Sequence, residues 1–111
     1  AGRAGSDALR AAGHAYRRFA LTHPGRYAAT QFVQIPDEPA ARRVVQLIVS
    51  VMNGYGLEGD AAIHAVRGLR SALFGFVALE TGGGFGMSLD TDESFEWLLD
   101  LLDRGLSDQF G

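Results

Sequence analysis

Three histidines, His14, His23 and His64, are the first residues that could do chemistry. A metal site needs them converging, usually from helical His-x-x-x-His or His-Glu-x-x-His spacing. Here they fall on three different segments and neither spacing occurs. There are no cysteines, so disulfides, thiolate nucleophiles and Cys-based zinc sites are excluded. No metal site and no cofactor are expected.

The run Gly82-Gly83-Gly84-Phe85-Gly86 superficially resembles a phosphate loop. A Walker loop needs Lys-Ser/Thr after its glycines, and a dinucleotide fold needs a preceding strand. Neither is present, so the run reads as the end of a helix. Ser50, Ser71 and Ser88 lack a nucleophile-elbow context. The pairs Asp90/Asp92 and Asp100/Asp103 suit a solvated helix face. Glu80 alone among the acids adjoins an apolar run, and it is expected to pair with Arg70 or Arg104 or to end at the surface. An enzyme is not expected.

Aromatic side chains say more. Tyr16, Phe19, Tyr27, Phe32 and Tyr55 concentrate in the first half of the chain, joined by Met52. They are either ordinary core or the lining of an apolar cavity with phenol handles. Composition leaves both open.

The elements that must position these residues are helices. The chain has 111 residues, 47% hydrophobic, with ten basic and thirteen acidic side chains and a net charge of −3. That suits one globular domain spanning residues 1–111 and argues against gripping nucleic acid directly, which needs a clustered positive surface. The pairs Arg17-Arg18 and Arg42-Arg43 read as solvated faces. No apolar run approaches the roughly 20 residues of a membrane span, and no signal peptide is visible, so a cytoplasmic protein with no membrane partner is expected.

Five helices and no strand are predicted, making an all-α fold. The first spans about Ser6–Thr22, capped by Ser6, with Leu9, Ala12, Tyr16, Phe19 and Ala20 on one face and Arg10, His14, Arg17 and Arg18 opposite. The second runs from Pro24 to Val33, before a break at Pro36 and Pro39. The third, Pro39–Tyr55, turns Val44, Leu47, Ile48, Val51, Met52 and Tyr55 to one side and ends at Gly54 and Gly56. The fourth, from Gly59 or Asp60 to Thr81, carries two stripes. Ala61, Ala65, Gly68, Ala72 and Gly75 are small, while Val66, Leu69, Leu73, Phe76 and Val77 are bulky. The last, about Thr91–Leu106, starts at Asp90 with Glu93 at capping-box spacing. Its apolar face (Phe95, Leu98, Leu99, Leu102, Leu106) is widened by Trp97 and Leu101. The last two helices carry more apolar surface than one copy buries.

Three stretches resemble the C-terminal domain of TetR-type transcriptional regulators. They are Tyr16 to Tyr27 with its His23-Pro24 turn, Leu69 to Glu80 followed by the Gly-rich loop, and the closing helix from Asp92 to Leu106. The middle stretch looks like the subgroup named for a Trp-His-Gly signature: Gly75 matches, Phe74 stands at the His position and Arg70 at the Trp position. The resemblance implies a five-helix TetR-type fold whose last two helices form a four-helix bundle across a homodimer. It implies a small, largely apolar effector held by Tyr16, Phe19, Tyr27, Phe32, Met52, Tyr55, Leu69 and Leu73. A dimer interface would use Ala72, Gly75, Phe76, Leu79, Phe95, Leu98, Leu99 and Leu102. It also implies that DNA is bound, in a repressor, by an N-terminal helix-turn-helix that this chain lacks, so the chain would be a fragment. The alternative is a structural dimerisation module without a ligand.

Overall fold

The structure, a computed structural model, describes residues 2–31 and 39–110. Five helices follow in order: α1 (Gly2–Thr22), α2 (Pro24–Thr30), α3 (Pro39–Tyr55), α4 (Gly59–Thr81) and α5 (Thr91–Phe110). Among the described residues there is no strand, and the all-α expectation holds. The predicted second helix ends at Thr30; residues 32–38, including Phe32 and Pro36, lie outside the described residues.

Helix ends follow local chemistry. Pro24 opens α2, where its missing N–H costs nothing. At the end of α3, Leu57 N–H donates to Met52 O and Gly56 N–H to Asn53 O, with Gly56 at φ +71°. At the end of α4, Gly84 N–H donates to Leu79 O and Gly83 N–H to Glu80 O, with Gly83 at φ +72°. Both are Schellman closures, which require a left-handed residue that glycine adopts without a Cβ clash. The glycine run is therefore a helix stop. Asp90 caps α5 by accepting from Asp92 N–H at 3.0 Å. Ser6 caps nothing: α1 starts four residues earlier, and Ser6 Oγ donates to Asp103 on α5 at 2.7 Å.

Helix α1 touches each of the other four helices. Its predicted apolar face, Leu9, Ala12, Tyr16, Phe19 and Ala20, is buried throughout. Val44, Val51 and Met52 of α3 and Leu69, Leu73, Phe76 and Val77 of α4 complete the core with Phe95 and Leu99 of α5. The bulky stripe of α4 thus faces inward. A Cβ placed on Gly68 or Gly75 of the small stripe would meet nothing within 4 Å. Taken whole, α4 is long and apolar enough to cross a membrane, contrary to the run-based expectation. Its bulky stripe is nevertheless core, and Arg67 and Arg70 sit near its middle.

Two close approaches set the helix crossings. A Cβ on Gly54 of α3 would lie 2.7 Å from Gly5 Cα and 2.8 Å from Gly5 N on α1. A Cβ on Gly13 would lie 2.6 Å from a Leu99 methyl. Backbone meets backbone at the first, and backbone meets a core leucine at the second.

Candidate functional site

The candidate effector residues divide into two places. Tyr16, Phe19 and Tyr27 form one aromatic group. The Tyr16 and Tyr27 rings meet edge to face at 5.4 Å and their hydroxyls are 2.6 Å apart. Phe19 meets Tyr27 at 6.2 Å. Burial raises both phenol pKa values, and the hydrogen bond raises Tyr16 further while lowering Tyr27; either hydroxyl can donate to the other. Met52, Leu69 and Leu73 pack in the core with Tyr16.

Tyr55 stands apart, which corrects the expectation of a single cluster. Its ring lies over Gly5, and its hydroxyl donates to the Asp103 carboxylate. Gly5 and Tyr16 are separated by eleven residues of α1, about 16 Å along a helix axis. Tyr55 is therefore a clasp between α3 and α5. Burial pushes Asp103 upward, but hydrogen bonds from Tyr55 and Ser6 with the charge of Arg10 outweigh it and hold the carboxyl below its usual value.

Polar residues of α1 form a seam with α5 that runs antiparallel. Ser6 faces Asp103, Arg10 pairs with Asp100 at 2.6 Å and Glu96 at 3.2 Å, His14 meets Glu96 at 2.7 Å, and Arg17 meets Asp92 at 2.8 Å. Arg17 also grips Glu80 at the end of α4 through two nitrogens, with Nε 3.0 Å from Oε1. Its guanidinium lies 5.1 Å from the Phe95 ring centre and 5.7 Å from that of Phe76. The Arg17 and Glu80 side chains are only 13% and 14% exposed. This corrects two expectations: Arg17 is not a solvated residue, and Glu80 pairs with neither Arg70 nor Arg104. Beside the seam is a polar groove of about 600 Å³ that includes His14, Arg17, Asp90 and Glu93.

The seam was missed because the α1 wheel was divided only into core and opposite faces. Ser6, Arg10, Gly13 and Arg17 form a flank at spacings of four, three and four. Asp92, Glu96, Asp100 and Asp103 form a matching acidic flank on α5. That complementarity is visible in the sequence once flanks are compared.

Hydrogen bonds from Arg17 hold the Glu80 carboxyl below its usual pKa, against the upward push of burial. A carboxyl whose folded pKa is depressed adds stability at neutral pH that is lost as the pH falls through its folded value. Glu80→Gln is expected to be less stable than the parent at pH 7, with the difference shrinking toward pH 3. Thermal unfolding followed by circular dichroism across that range checks it; a gap that persists at acid pH would show that Glu80 acts through packing and not through its charge.

The interface residues also divide. Phe76, Phe95 and Leu99 are buried in the chain's own core, so they cannot face a partner, a correction with a plain steric cause. Leu79 is exposed, Ala72 and Gly75 are half-buried on the small stripe, and Leu98 and Leu102 lie at the core's edge. Further exposed apolar side chains are Ile63 and Phe74 on α4, Met87 and Leu89 in the connecting loop, and Trp97 and Leu101 on α5. Trp97 is 66% exposed. Of these, Leu79, Trp97 and Leu101 leave an apolar exterior on α4 and α5, exposed among the described residues.

The profile of the Tetracyclin repressor-like, C-terminal domain family matches residues 9–102. The chain belongs to the Tetracyclin repressor-like C-terminal domain family. All five helices of this TetR-type domain lie partly or wholly within the matched region. The chain is 41% identical over 102 residues to an uncharacterised HTH-type transcriptional regulator of Mycobacterium tuberculosis, covering 86% of this chain and 45% of that protein. It is 36% identical over 109 residues to a second such regulator, from Bacillus subtilis, covering 94% of this chain and 56% of that protein. The TetR-type chain thus spans about half the length of the curated relatives it matches. Both of these relatives carry the name HTH-type transcriptional regulator.

Proposed function

We propose that this domain joins two copies of a longer cytoplasmic repressor and senses a small effector that controls DNA binding by an N-terminal helix-turn-helix. The observation that carries the reading is the exposed apolar exterior of α4 and α5 in a TetR-type C-terminal domain. Leaving a leucine-sized side chain in water forgoes about 1.5–3 kcal/mol. Leu79, Leu101 and Trp97 together therefore offer a second copy a substantial gain, and an isologous two-fold pairing presents the same surface twice. The small stripe at Ala72 and Gly75 lets a partner helix approach closely. Leu98 and Leu102 supply the α5 side, joined by Trp97 and Leu101 in place of Phe95 and Leu99. Within the family, the Leu69–Glu80 stretch with its Gly75 supports membership of the Trp-His-Gly subgroup.

An effector acts by differential affinity for two arrangements of the dimer. The Tyr16, Phe19 and Tyr27 group is the effector side, because it joins α1 to α2 and offers paired phenols in an aromatic cluster. The Tyr55 clasp is not part of it.

The test is association state. Light scattering is expected to show a dimer at micromolar concentration. Trp97, the chain's single tryptophan, should shift its emission to shorter wavelength as dilute protein is concentrated. Gly75→Leu places bulk where the chain itself has open space, so it should yield a folded monomer with unchanged helicity. A parent chain that stays monomeric, or a Gly75→Leu chain that dimerises as well as the parent, would sink the pairing.

A further inference from the structure

A groove of about 300 Å³ lies between the end of α2 and the outer flank of α4, lined by Gln31, Arg67, Arg70, Ser71 and Phe74. Three observations make it a binding site in waiting. The first is charge. Arg67 and Arg70 stand one helical turn apart on one flank, and no carboxylate forms an ion pair with either among the described residues. This occurs in a chain whose net charge is −3 and in which Arg10 and Arg17 are both paired with carboxylates.

The second is an orphan. Gln31 Oε1 is buried and has no hydrogen-bond partner. An unsatisfied buried acceptor costs about 1–3 kcal/mol, a cost a ligand donor would remove. Gln31 is held in place from both sides: its Nε2 donates to Tyr27 O, and its backbone O accepts from Arg70 Nη2 at 2.6 Å. The third is an aromatic wall. Phe74 is 44% exposed and lines the groove.

We propose that this groove binds a small aromatic carboxylate that also carries a hydrogen-bond donor. The carboxylate takes the free N–H groups of Arg67 and Arg70, the ring lies against Phe74, and the donor reaches Gln31 Oε1. The volume is at the lower end of the usual range for small-molecule sites, which restricts the ligand to about one ring. The site adjoins the proposed effector group. Gln31 is bonded to Tyr27, and the Arg70 charge acts on both the Tyr16 and Tyr27 phenols, opposing the upward push of burial. A ligand drawing on Arg70 therefore pulls on the α2–α4 contact next to the phenol pair. The proposal deepens the sensing reading and rests on it for its regulatory meaning; the binding itself does not.

The test is an NMR titration of the folded chain with 4-hydroxybenzoate, benzoate and benzyl alcohol. Amide shifts should map to Gln31 and to the Arg67–Phe74 turn. Affinity should fall from 4-hydroxybenzoate to benzoate, and benzyl alcohol should not saturate. Arg67→Gln, which removes no ion pair among the described residues, should weaken 4-hydroxybenzoate by roughly tenfold, the size of one charge-assisted hydrogen bond. Equal binding of benzyl alcohol and benzoate, shifts centred elsewhere, an Arg67→Gln chain that binds like the parent, or no saturable shift at millimolar concentration would each overturn the proposal. If 4-hydroxybenzoate fills the groove but changes neither dimer affinity nor melting temperature, the site stands and the sensing reading fails.

Discussion

Gly54→Ala should destabilise the domain by about 3 kcal/mol, the upper part of the range for forcing extra atoms into a packed site. The new Cβ would fall 2.7 Å from Gly5 Cα and 2.9 Å from Ala4 C. These are backbone atoms, so no rotamer change relieves the clash; α1 and α3 have to separate. Separation loosens the Tyr55 ring over Gly5 and its bond to Asp103. Alanine is otherwise the better helix former by about 1 kcal/mol, which makes the expected loss more telling. At this chain length the melting temperature should drop by roughly 12–20 °C. Gly68→Ala is the control: its Cβ meets nothing within the chain, so it should hold or raise stability. Calorimetry of both variants decides the matter. A Gly54→Ala chain that melts with the parent would mean that α1 and α3 do not rely on this backbone contact.

Arg17→Met is expected to cost about 3 kcal/mol, the lower end of what breaking a buried ion pair costs. Most of this comes from what is left behind. Glu80 is 14% exposed and would keep its charge without the two nitrogens that satisfy it. The guanidinium's place over the Phe76 and Phe95 rings would also be lost, although the methionine chain refills part of that space. Arg17→Lys should recover little, since an ammonium cannot reproduce the two-point grip. The double variant Arg17→Met/Glu80→Gln should regain part of the loss, because no unpaired charge remains. Denaturant unfolding of the parent, Arg17→Met, Glu80→Gln and the double variant reads out the cycle. Additive losses would show that the two residues act independently.

Much of this architecture is legible in the chain. Pro39, Gly56, Gly59, the Gly82–Gly84 stop and the Asp90 cap place the bounds of α3, α4 and the start of α5, because each of these residues acts on backbone within a few positions of itself. Leu9, Ala12, Tyr16 and Ala20 identify the buried face of α1 by period alone. What period does not reveal is which neighbour covers which sector of a helix. Phe95 and Trp97 both lie on the widened face of α5, yet one is fully buried and the other mostly exposed. Phe76 and Leu99 were expected at a partner surface for the same reason. Tyr55 shares residue type with Tyr27 but sits about 16 Å further along α1, a separation that only the α1–α3 crossing determines. Ser6 looked like a cap because its preference for helix starts is local, whereas its bond to Asp103 spans almost the whole chain.

The polar seam between α1 and α5 is ambiguous in charge. Slide α1 by one helical turn, about 5.4 Å, and Arg10 comes opposite Asp103, His14 opposite Asp100 and Arg17 opposite Glu96. Every pair is again of complementary type. Electrostatics therefore does not index α1 against α5; it only keeps the two in contact. The index comes from two keys that fit one position alone: Leu99 seated on the bare backbone of Gly13, and Glu80 reaching Arg17 from the end of α4. A helix held by a periodic rail and stopped by two pins has a natural direction and step for any displacement. A one-turn slide would keep the α1–α5 pairs complementary and break both pins, one of which α4 carries.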